Sequence, residues 1–166
     1  MATHHKSLSD FSHIPVASAR DYRFGSVVSQ WNAEVTGSLL NGAYQTLLDH
    51  DAQETNIRVI EVPGSYELTA GADILLRDKT LDAVICLGCV IQGETPHFDY
   101  ICNAVANGIT NLSLKHGKPV IFGVLTTLEL AQARARSGGK HGNKGEEAAV
   151  TAIQMAALSV ANPQGA

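Results

Sequence analysis

The sequence has little that would tie it to nucleic acid, membranes or nucleotide hydrolysis. Twelve Lys and Arg stand against sixteen Asp and Glu, a formal charge of −4. No basic run is long enough to mark a nucleic-acid or anionic-membrane surface. The longest apolar run, Ala83 to Ile91 counting its glycine, is about half of what spans a bilayer. The N-terminus, MATHHKSLSDFSHIPVASARD, lacks the apolar centre of a signal peptide, which predicts a cytoplasmic protein. Both G-x-x-x-x-G-K-[ST] and G-x-G-x-x-G are absent, which argues against nucleotide hydrolysis and a dinucleotide cofactor. His4, His5 and His13 have no carboxylate or thiol at ligand spacing, so the expectation is a polar arm and no metal. Cysteine is scarce too: Cys86, Cys89 and Cys102. The first two form a C-x-x-C inside VICLGCVI, a strand pattern. Alternation sends them to opposite faces, so neither a shared disulfide nor a shared metal is expected.

What is present is a regular alternation of strands and helices. FGSVVS (24–29), NIRVIEV (56–62), DAVICLGCVIQ (82–92) and KPVIFGVLTT (118–127) read as strands. Helices are expected over 33–50, 65–77, 96–116, 128–136 and 144–161. Four strands alternating with helices call for a parallel sheet, and continuously apolar strands for cover on both faces. The predicted fold is α/β, a three-layer α/β/α sandwich of flavodoxin-like kind, with four parallel strands. Residues 23–162 form one domain in this reading. Residues 1–22 form an arm, extended or partly disordered, able to pack on a neighbouring chain.

Ligands in such sheets bind where strands end and helices begin. After the first strand come Trp31, the sole tryptophan, and Asn32. An indole there can stack on a flat heterocycle; alternatively it is core, with Asn32 as a helix cap. After the second comes VPGSYEL, where Gly64 turns the chain, Ser65 can cap and Glu67 can meet hydroxyls. After the third comes GETPHFDY. Thr95 and Pro96 suit a helix start whose free N–H groups bind an anion, with His97 beside it to move protons. Glu94 is expected to turn outward. After the fourth comes RARSGGKHGNKG, which gathers Arg134, Arg136, Lys140, His141 and Lys144. An arginine on a phosphate would account for one of these. Asn143-x-x-Glu146 has the form of a capping box. These residues point to an enzyme acting on a small phosphorylated compound.

Five segments, WNAEVTGSLLNGA, VPGSYEL, LGCVIQGETPHFDYICNAVANGI, PVIFGVLTT and RSGGKHGNKGEEAA, resemble the lumazine synthase family in order and spacing. The resemblance covers about residues 22 to 158. It implies condensation of 5-amino-6-(D-ribitylamino)uracil with 3,4-dihydroxy-2-butanone 4-phosphate, releasing inorganic phosphate and water, without a metal or organic cofactor. It places Trp31 and Asn32 at the pyrimidine ring. It places Ser65, Tyr66 and Glu67 at the ribityl chain, and the backbone of Cys89, Val90 and Ile91 at the pyrimidine edge. Glu94 and Thr95 correspond to the phosphate cradle, Arg136 to its arginine, His97 to the proton-transfer residue and Lys144 to a lysine near the substrate. Phe122 corresponds to an aromatic that closes the pocket from the adjacent subunit.

The same resemblance implies pentamers, with 60-subunit shells in many members and riboflavin synthase as a possible enclosed partner. Pentamer-only members often carry an insertion after the arginine. Here six residues, 137–142, separate Arg136 from Asn143, which favours the shell. A flavin-binding or cage protein without catalysis would need neither His97 nor Arg136. A different sugar-phosphate enzyme of the same fold class would not require Trp31 or VPGSYEL in this register.

Overall fold

The computed structural model of the chain describes residues 7–11, 13 and 15–162. Its strands are β1 (Phe24–Ser29), β2 (Ile57–Val62), β3 (Ala83–Ile91) and β4 (Val120–Thr127). A short pair, β5 (Ser137–Gly139) and β6 (Gly142–Asn143), forms a hairpin. The helices are α1 (Ala33–Asp49), α2 (Leu68–Leu75), α3 (His97–His116), α4 (Leu130–Ala135) and α5 (Lys144–Ala161). The main sheet has the order β2-β1-β3-β4, and all its pairs are parallel.

Both faces of this sheet are covered, because β1 and β3 carry apolar side chains in both directions. On one face Phe24, Ile85 and Leu87 meet Leu39 and Leu47 of α1 and Ile153 of α5. On the other Val27, Val84 and Cys86 meet Leu68 and Leu75 of α2 and Val105 and Ile109 of α3. The sandwich is therefore three layers, α1/α5, sheet and α2/α3, in the flavodoxin-like arrangement. Cys86 belongs to the second core and Cys89 to the first, so the C-x-x-C is split across the sheet. All three cysteines are free thiols.

The α1/α5 layer is closed by a backbone contact. A Cβ on Gly145 would lie 1.9 Å from the Leu39 carbonyl oxygen, so only glycine lets α5 approach α1 this closely. The neighbouring Asn143 accepts from the Gly145 N–H at 2.8 Å and donates from Nδ2 to the Ser38 carbonyl at 3.0 Å. Ser38 Oγ in turn donates to the Ser137 carbonyl, which fixes the hairpin to α1. Asn143 is thus the expected cap, but the capping box is incomplete. Its own N–H donates to Ser9 Oγ at 3.0 Å and not to Glu146. On the opposite face Asp73 of α2 meets Lys115 at 3.1 Å and His116 at 3.0 Å, at the end of α3. Those two partners hold its carboxyl below the usual range.

Two helix starts differ from the sequence expectation. Residues Ser65–Glu67 form a 3-10 turn, and α2 begins only at Leu68, with no side-chain cap. At α3 the cap position is Pro96, not Thr95, and α3 also lacks a side-chain cap. Part of the arm lies against its own chain: Leu8 N–H donates to the His141 carbonyl at 2.8 Å, and Ala19 N–H to that of His50 at 2.6 Å. His4 and His5 fall outside the described residues, and His13 is exposed.

Gly145→Ala is expected to destabilise the protein by about 3 kcal/mol or more, since helix backbone must move to admit one methyl. Gly37, exposed in α1 with nothing within 4 Å of a built Cβ, is expected to gain about 0.5–1 kcal/mol as alanine. Denaturant midpoints of the two variants check both signs. Burial pushes the Cys86 thiol up to about 12 and Cys89 to about 11. Burial and the nearby Asp99 raise the Cys102 thiol as well, so access makes the difference: a thiol reagent should label the partly exposed Cys102 alone until denaturant exposes all three. Rapid native labelling of Cys86 would contradict the packing described.

Candidate active site

The strand order reverses between β1 and β3, so the carboxyl ends of these two strands flank a crevice. Their lengths differ there. The β1–β3 register ends at Val28 opposite Leu87, whereas β3 stays paired with β4 as far as Ile91 opposite Thr127. Residues 88–91 therefore have no strand on the β1 side. The chain leaving β1 instead follows the end of β2, with Gln30 N–H donating to Val62 at 2.8 Å and Trp31 N–H to Pro63 at 3.1 Å.

Next comes Asn32, with φ 61° and ψ 45°, a left-handed conformation that asparagine tolerates better than most residues. Its side chain does not cap α1. It crosses to β3, where Nδ2 donates to the Cys89 carbonyl at 3.0 Å. Ser65, buried in the 3-10 turn, donates from Oγ to the same carbonyl at 3.4 Å. Gly88 leaves room for it: a Cβ there would stand 2.7 Å from Ser65 Oγ.

These loops enclose a cleft of about 670 Å³ lined by Trp31, Asn32, Gly64, Ser65, Tyr66, Glu67, Cys89, Val90, Ile91, His97 and Ile101. Nine of these eleven residues are sequence candidates, brought together from three strand exits. In the sequence Gly64 reads only as a turn residue, and Ile101 only as an apolar position within the expected 96–116 helix. Trp31 is 74% exposed and Tyr66 58%, so two aromatic rings stand at the rim. Trp31 is therefore not a core residue. His97 is the first residue of α3 and exposed. The N–H groups of Glu94, Thr95, His97 and Phe98 have no acceptor among the described residues, as an anion-binding helix start requires. Glu94 is exposed and is not among the residues lining the cleft.

The remaining candidates lie elsewhere. Phe122, in the edge strand β4, packs half-buried against the α2/α3 core. Arg136 follows α4, with Nη1 donating to the Gln132 carbonyl at 3.2 Å. Lys144 opens α5 and pairs with Glu147 at 2.5 Å. Arg136 leads into a hairpin that packs on α1, and α5 also lies on α1, whereas the cleft opens beside α2 and α3. Arg134 Nε and Nη2 donate to the two carboxylate oxygens of Glu34, each at 2.8 Å, which commits one edge of its guanidinium to that pair. Among the described residues no three His, Cys, Asp or Glu side chains are grouped to hold a metal ion. No helix among them is long and apolar enough to cross a membrane.

Comparison with known proteins bears on this cleft. Residues 21–159 match the family described as 6,7-dimethyl-8-ribityllumazine synthase. The protein of that name from Cytophaga hutchinsonii is 55% identical over 161 residues, covering 96% of this chain and 100% of its own. Those from Porphyromonas gingivalis and Parabacteroides distasonis are each 51% identical, covering 95% and 96% of this chain and 98% and 99% of theirs. With the match spanning every strand, every helix through most of α5 and the entire cleft, the chain belongs to the 6,7-dimethyl-8-ribityllumazine synthase family.

Proposed function

We infer that this protein is a transferase of riboflavin biosynthesis. It condenses 5-amino-6-(D-ribitylamino)uracil with 3,4-dihydroxy-2-butanone 4-phosphate to 6,7-dimethyl-8-ribityllumazine, releasing phosphate and water, the penultimate step of the pathway. The observation that carries the reading is the cleft itself. An exposed indole, a polar turn, a strand edge and a histidine at a helix start converge in one chain, within the family's matched span.

The reaction asks for four things, and the residues offer each. A flat pyrimidine stacks on Trp31, and its ribityl hydroxyls reach Ser65, Tyr66 and Glu67. The end of β3 over Cys89, Val90 and Ile91 lies along the ring, and its cleft-facing backbone reads the pyrimidine edge. The open N–H groups from Glu94 onward hold the phosphate, and His97 beside them shuttles protons as the amine adds to the ketone, water leaves and phosphate is eliminated. No step calls for a metal or an organic cofactor.

The phosphate arginine comes from another copy of the chain in this reading. Arg136, Phe122 and Lys144 all lie away from the cleft of their own chain, and the aromatic rim is open to solvent. We propose a pentamer with each cleft completed by its neighbour, and a 60-subunit shell built from twelve pentamers. The tight β5–β6 hairpin, with no insertion after Arg136, supports the shell. Riboflavin synthase is the partner such a shell would enclose. Residues 1–22 serve as an arm on a domain of residues 23–162, and the enzyme works in the cytoplasm.

Lumazine formation from the two substrates, followed by absorbance against the uncatalysed rate, tests the reading. His97→Ala should lower kcat by about 100-fold without abolishing turnover, because positioning of the two reactants survives. Arg136→Ala should raise KM for the butanone phosphate by about tenfold or more and leave KM for the pyrimidine nearly unchanged. No acceleration by wild type, with riboflavin still binding, would favour a binding or cage protein instead. In light scattering a particle of pentamer mass at every concentration would overturn the shell.

A further inference from the structure

We propose that Asn32 is a positioning residue, whose amide holds the end of β3 so that Ile91 presents its backbone to the pyrimidine ring. The inference rests on the condensation assigned above, and it changes the part Asn32 plays, from a group beside the ring to one acting through the strand.

The backbone directions at the end of β3 lead to it. Cys89 directs its carbonyl away from β4, toward Asn32 Nδ2 and Ser65 Oγ. Gln92 directs its N–H the opposite way, donating to the Thr127 carbonyl of β4 at 2.9 Å. Backbone groups alternate along a strand, so Val90 and Gln92 turn to β4 while Cys89 and Ile91 turn to the cleft. A carbonyl oxygen has two lone pairs, and at Cys89 both meet a donor of the chain itself. Ile91 is then the residue whose N–H and C=O face the cleft without a strand opposite. A ring amide, such as the N–H beside a C=O in a uracil, offers the matching donor and acceptor.

Asn32 is built for this task in two respects. Its left-handed backbone, φ 61°, swings the side chain back across the gap between β1 and β3. Its amide supplies a donor that a carboxylate or hydrocarbon of similar size lacks. Ser65 alone, at 3.4 Å and on a different loop, is the weaker of the two tethers.

Two variants separate the amide from the backbone. Asn32→Gly keeps the left-handed conformation and loses the donor. Asn32→Asp keeps the size and turns an oxygen toward the Cys89 carbonyl. Each should raise KM for the ribitylaminouracil by about tenfold, on the scale of one lost hydrogen bond, with KM for the butanone phosphate within about twofold of wild type. Deuterium exchange of the substrate-free enzymes should be faster over residues 90–92 in both variants. Slower pyrimidine capture with unchanged exchange would make Asn32 a direct contact and overturn the proposal. An unchanged pyrimidine KM would overturn it, and so would an equal rise in both KM values. If wild type made no lumazine the condensation would fall, yet the exchange comparison would still decide whether Asn32 holds the strand.

Discussion

The arrangement at the carboxyl end of the sheet depends on a mismatch of strand length. β3 continues past the last residue of β1, and backbone left without a neighbour must find partners or water. The loops after β1 and β2 meet that demand with side chains, Asn32 and Ser65 on one carbonyl. Because those loops are drawn in to satisfy the strand, the indole, the polar turn and the helix start of α3 end up around the same space. The cleft follows from hydrogen-bond satisfaction as much as from any demand of a ligand.

A second constraint acts on the opposite face. Gly145 admits the Leu39 carbonyl, Asn143 binds both helices, and the hairpin after Arg136 is thereby fastened to α1. The basic residues are carried on this rigid layer, away from the cleft beside α2 and α3. In the proposed reading, one chain bears two complementary halves of a site on separate layers. The proposed pairing of copies brings the halves together, with Arg136 of one meeting the open N–H groups of another.

Much of this was legible in the residues. Strand positions follow from apolar runs bounded by turns, and the sheet from their alternation with helices. The cleft followed because strand exits are where such sheets bind, and Trp31, VPGSYEL and GETPHFDY sit at those exits. What could not be read were the partners of short polar side chains. Ser65 and Thr95 both have the chemistry of a cap, yet Ser65 turns to β3 and neither caps a helix. Asn32 likewise trades a local cap for a bond across 57 positions of sequence. Such choices are made by tertiary proximity, which no local pattern encodes. The hairpin within SGGKHGNKG was hidden for a similar reason, since glycine-rich stretches read as loops and it is Ser38, far away in sequence, that holds this one in place.

The single tryptophan has a consequence of another kind. Trp31 is the only indole in the chain, it stands largely in solvent, and it forms the wall of the cleft. Its emission therefore reports on one place alone. A molecule that stacks there alters the colour and lifetime of that light, while events in either core leave it largely unchanged. The protein carries its own optical gauge of occupancy, with no label to attach once excitation is set where its four tyrosines do not absorb.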